Sequence, residues 1–185
     1  MFGGACAARL APVVDAIGSD ETAALFREAV RAVLRDAPGE VRSGLVDRLA
    51  RMPEMGAEHS GVLEYWPKPA VVMVTVVLQS GTSDDPGDIG RRACAISLEL
   101  LESVDTAFLA PDDRFRFIEF DHVHTPGAQQ RAEMETQIRT IALLRMASDP
   151  TDAGRQLEGL SAPRVQELAA VMPDFVRAES SATNN

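Results

Sequence analysis

Apolar residues recur along most of this chain every three or four positions, the period of helices with one buried face. Phe26, Val30, Val33 and Leu34 form such a stripe, behind a Ser19 or Asp20 able to cap the helix start. Asp20 and Glu21 stand at that start and Arg31 and Arg35 near the end, as the helix dipole favours. Before it, Ala5 to Ile17 predicts a short first helix, kinked at Pro12 and ended by Gly18. After Pro38-Gly39, the residues Val41, Leu45, Val46, Leu49 and Met52 mark a third helix that Pro53 stops.

Residues 53–69 read as irregular, with Pro53, Gly56, Gly61, Pro67 and Pro69. The run Val71 to Leu78 has strand propensity, but no second clear strand is available to pair with it, so a helix covered on all faces is expected at 70–79. Asp85-Pro86 opens the next helix, with Ile89, Ala93, Ile96, Leu100 and Val104 on one face. The stretch 105–124, with Phe115, Phe117 and Phe120, fits a strand or a further helix. Thr125-Pro126 begins a long helix to about Met146, with Met134, Ile138, Ile141 and Ala142 as its apolar positions and Glu135 and Arg139 as an i, i+4 pair. A last helix is expected from near Ser161, carrying Val165, Leu168, Ala169 and Met172 and breaking at Pro173. The expected class is all-α: a single-domain helical bundle of about six to eight helices over residues 1–178, with a polar tail at 179–185. Strands at 70–79 and 115–120 would make it α+β instead.

Charge changes this picture more than composition does. Eighteen Lys and Arg face 28 Asp and Glu, a net charge of −10. Counterion release from phosphates needs basic residues, so nucleic acid and anionic membranes are not the expected partners. A basic protein partner would be attracted. The start of the chain has no basic region ahead of its short apolar run, and Ala70 to Leu78 is too short to span a bilayer as a helix, so a cytoplasmic protein is expected. Cys6 and Cys94 make no disulfide framework and are expected to be free thiols.

The chemistry-bearing residues are few. His122-x-His124, with Glu119, Asp121 and possible help from His59, has the residue types of a metal site. Glu119-x-x-His122 is half of a di-iron pattern whose second copy is missing. Asp84, Asp85 and Asp88 lack the spacing of a calcium loop, and helix capping accounts for Asp85 and Asp88. No serine lies in a nucleophile elbow, and no histidine can be assigned to Cys6. Tyr65-Trp66 is the chain's only Tyr/Trp cluster, set among Glu54, Glu58 and Glu64. Such residues are frequent protein-binding hot spots, but more often serve as an anchor that pins a loop to the core.

Three stretches together resemble a known family. Ala5-Cys6-Ala7-Ala8-Arg9-Leu10-Ala11-Pro12 is similar to an N-terminal block of Ala-Cys, a basic residue, an apolar residue and Pro. Trp66-Pro67 leading into Val71 to Leu78 looks like an aromatic-Pro step opening a central helix. Gln129-Gln130-Arg131 through Glu135, Ile138 and Ile141 to Leu144 is similar to a closing helix. The family is the bacterial YjaG-like domain of unknown function. The resemblance implies an all-helical fold, a helix at 70–79 and Trp66 at a helix start. It implies no catalytic residues. Ala8 stands where the family pattern has an acidic residue, and 105–124 has no counterpart in it.

The expected function is therefore protein binding rather than catalysis: an immunity-type or regulatory module that masks a basic partner. Its expected contact residues are Glu54, Glu58, Glu64, Tyr65, Trp66, Asp84 and Asp85. A metal-dependent enzyme built on Glu119, Asp121, His122 and His124 is the alternative, with no other cofactor expected. A structural subunit of a larger assembly is a further one.

Overall fold

The computed structural model describes residues 1–56, 63–82, 85–109 and 125–183. Among these the chain is all-α, with seven helices and no strand. They are α1 (Phe2–Ile17), α2 (Asp20–Leu34), α3 (Gly39–Leu49), α4 (Pro67–Leu78), α5 (Pro86–Ala107), α6 (Ala128–Met146) and α7 (Pro150–Thr183). Short 3-10 turns occupy Pro53–Gly56, Leu63–Tyr65 and Gln79–Thr82.

α1 is the axis of the bundle. It packs against α2, α4, α5, α6 and α7, and is buried almost all round. Its sequence makes this possible, because Gly3 to Ala8 contains nothing larger than a cysteine. A Cβ on Gly4 would come within 2.5 Å of Val33 on α2, so only glycine allows that approach. Around this axis, Leu10, Phe26, Leu49, Met73, Leu101, Leu157 and Phe175 form one contiguous core.

The 70–79 segment is helical, as its context suggests. α4 buries Ala70, Val71, Met73, Val74, Val77 and Leu78, so its β-branched run is set by packing rather than by propensity. Caps read from sequence recur: the Ser19 hydroxyl accepts from the Thr22 amide, and the Asp85 carboxylate accepts from the Gly87 and Asp88 amides. The 115–120 segment lies outside the described residues.

Two expectations are corrected. The last helix starts at Pro150 instead of near Ser161, passes through Pro163 and Pro173, and continues to Thr183, through the stretch expected to be a tail. Asp149 caps its start, accepting from the amides of Thr151 and Asp152. Each internal proline removes one backbone hydrogen bond. Leu157, Ser161, Arg164, Leu168, Met172 and Phe175 are buried along one face, and that packing outweighs the loss.

The second correction concerns α6. Its apolar positions face outward, with Met134 and Ile141 each 41% and Ile138 67% exposed. The buried positions are Gln130, Glu133, Gln137 and Thr140, a polar stripe at i, i+3, i+7 and i+10. Glu135 and Arg139 form no ion pair among the described residues, although their spacing allows one.

Candidate functional site

The buried side of α6 meets α1 in an ionic centre. Arg9 donates from Nε to both Glu133 carboxylate oxygens, at 3.1 and 2.9 Å, and from Nη2 to Oε1 at 2.8 Å. Its Nη1 reaches the hydroxyls of Thr140 and Ser161, and its Nη2 the Cys6 sulfur, each at 3.4 Å. All five guanidinium N–H groups thus find an acceptor. The Gln137 amide donates to Glu133, and the Cys94 thiol donates to Gln137. Both charged side chains are 0% exposed.

Burial opposes the charge on Arg9, but the hydrogen bonds and charge of Glu133 outweigh it and push the Arg9 pKa further up. Burial pushes the Cys6 thiol up to about 12, and Glu133 adds to this, while Arg9 opposes it. A thiol held protonated is a poor nucleophile. The centre is closed on itself and charge-balanced, which is the chemistry of a packing element. It offers neither an open ligand position nor an activated group.

A second inward carboxylate is Glu54. It was expected to face a partner, yet it is 7% exposed. It accepts from the Ser19 amide at 2.7 Å and from the Thr22 hydroxyl at 2.6 Å, which closes the start of α2. Burial disfavours its charged form, but these hydrogen bonds together outweigh burial and hold its pKa below the ordinary value. Asp85 is exposed, caps α5 and pairs with Arg91. Glu58 and Asp84 lie outside the described residues, as does the side chain of Glu64.

Tyr65 and Trp66 stand where a contact site can form. Trp66 packs edge-on against Phe175 of α7, with ring centroids 5.4 Å apart. The two aromatics, Pro69 and Val72 make one wall of a surface groove of about 400 Å³. Ile96, Leu100 and Ser103 of α5 make the other wall, and Glu99 and Lys68 also line the groove. Asp85 sits at the other end of α5, 14 residues before Glu99, or about 21 Å along the helix axis. The groove therefore unites Tyr65 and Trp66 with Glu99, which sequence reasoning missed, and not with Asp85.

Glu119, Asp121, His122, His124 and His59 all lie outside the described residues. Among the described residues, no group of three or more His, Cys, Asp or Glu side chains could hold a metal ion. No described helix is long and apolar enough to cross a membrane.

Comparison with known proteins finds no matching family model, no matching curated protein and no matching solved structure.

Proposed function

We propose that this chain is a cytoplasmic protein-binding module, of an immunity or regulatory kind, that holds a basic partner at the Tyr65–Trp66 groove. The observation that carries this reading is the groove itself. It is a mostly apolar cleft with a partly exposed Tyr and Trp on its wall and one acid, Glu99, and one base, Lys68, in its lining, in a chain of net charge −10. Aromatic anchors in an apolar cleft supply binding energy, while the net negative charge of the chain attracts a basic partner and speeds encounter. Membership of the YjaG-like family is part of the same proposal, supported by a helix that opens behind Trp66-Pro67.

The test is affinity capture of the tagged protein from its native cells, with Tyr65→Ala and Glu99→Lys variants in parallel. One basic protein at near-equal abundance, lost at high salt and weakened in both variants, is the expected result. Capture that is the same with both variants would overturn the site.

A further inference from the structure

We propose that two copies of this chain pair through the outward face of α6, antiparallel, about a two-fold axis near Ile138. The face is unusual for a described surface: Met134, Ile138 and Ile141 are all exposed on a helix whose opposite side is buried and polar. Clustered exposed apolar residues of this kind mark interaction surfaces.

The charges on the face point to a second copy as the occupant. Glu135 and Arg139 are both exposed, and neither has an ion-pair partner among the described residues. On a helical projection they lie on the same flank of the exposed stripe. An antiparallel two-fold sets each flank of the stripe against its own copy. With the axis near Ile138, Glu135 faces the partner subunit's Arg139, and Arg139 faces the partner subunit's Glu135. The same placement sets Met134 against the partner subunit's Ile141, on the other flank. Both sets of pairs are centred within one residue of Ile138, so a single axis satisfies them together. Arg131 meets the partner subunit's Arg145 at the two ends, where solvent screens the repulsion. Arg131 is also tied to the Pro126 carbonyl of its own chain. One helix pair is a small interface, so the association is weak and depends on concentration.

This inference does not rest on the Tyr65 groove, which is built from α4 and α5. Its test is sedimentation equilibrium of the full chain over a wide concentration range. The wild type should approach twice the monomer mass, and Ile138→Glu should remain monomeric with an unchanged helical circular dichroism spectrum. Glu135→Arg alone should weaken pairing by about tenfold, because two like-charge contacts replace two ion pairs. Adding Arg139→Glu to it should restore pairing, since the swapped charges again complement each other. A wild type that stays monomeric at every concentration, or an Ile138→Glu variant that still dimerises, would overturn the proposal. Failure of the double swap to restore pairing would overturn the antiparallel arrangement.

Discussion

Arg9 and Glu133, 124 residues apart in sequence, form a bidentate ion pair with both side chains fully enclosed between α1 and α6. Neither charge has water to fall back on, so each depends on the other. Arg9→Ala should therefore cost about 3–5 kcal/mol, the range for breaking one side of a buried pair. The double variant Arg9→Met with Glu133→Leu should lose less than either Arg9→Ala or Glu133→Ala, because it leaves no bare charge behind. Urea unfolding midpoints of the four proteins would check this. A double variant less stable than both singles would contradict it.

Asp105, near the end of α5, caps α6 from outside. Its two carboxylate oxygens accept from the amides of Gln129 and Gln130, each at 2.9 Å. Gly127 is the space that lets it in, since a Cβ there would sit 2.2 Å from the carboxylate. Asp105→Ala should cost about 1–2 kcal/mol as a lost cap. Gly127→Ala should cost at least as much, because it expels the same group. Thermal unfolding compared with the wild type measures both.

Glu54 gives the fold an acid-sensitive joint. Its folded pKa lies below the ordinary 4.5, so the unfolded chain binds a proton at this group more readily. The stability it contributes is fully present above pH 4.5 and is lost as the pH falls through the lower folded value. Glu54→Gln should be less stable than wild type at pH 7, by about 1–2 kcal/mol for the lost charge-assisted bonds. That difference should shrink as the pH falls below 4.5. Chemical denaturation at a series of pH values would show the convergence, and a constant gap would refute it.

The two thiols should differ in reactivity. Cys6 is buried and its pKa is raised to about 12, whereas Cys94 is partly exposed and its pKa is raised by burial and then by Glu133. Iodoacetamide at pH 8 should label Cys94 slowly in the folded protein and Cys6 only after unfolding. Peptide mass spectrometry reads each site separately. Labelling of Cys6 first would be incompatible with the ionic centre as described.

The chain's local chemistry determined a good deal. The Ser19 and Asp85 caps and the α2 stripe depend on residues within a turn or two of each other, and the all-α class follows from such stripes recurring along the chain, whereas the helical reading of 70–79 rests on the lack of a second strand to pair with it. Short-range hydrogen bonds and the 3.6-residue period write the caps and stripes directly into the sequence. The Tyr65–Trp66 pair was legible for the same reason, as a composition anomaly at a helix start.

Only the tertiary structure decided which face of α6 lies inside. Periodicity marks an apolar stripe at Met134, Ile138 and Ile141 and a polar one at Glu133, Gln137 and Thr140, but it does not say which is covered. The choice rests with Arg9, because a buried guanidinium must have a carboxylate and Glu133 on the polar stripe supplies it. Glu54 turns inward for a related reason. Its acceptors' partners lie 35 and 32 residues earlier, at Ser19 and Thr22, and a carboxylate among surface acids looks the same in sequence as one that closes a helix start. The prolines of α7 complete the contrast. Pro163 and Pro173 are breakers by local energy, and the long packed face against α1 outweighs them. A sequence states local preferences, and long-range satisfaction of buried charge and apolar surface settles which of them prevail.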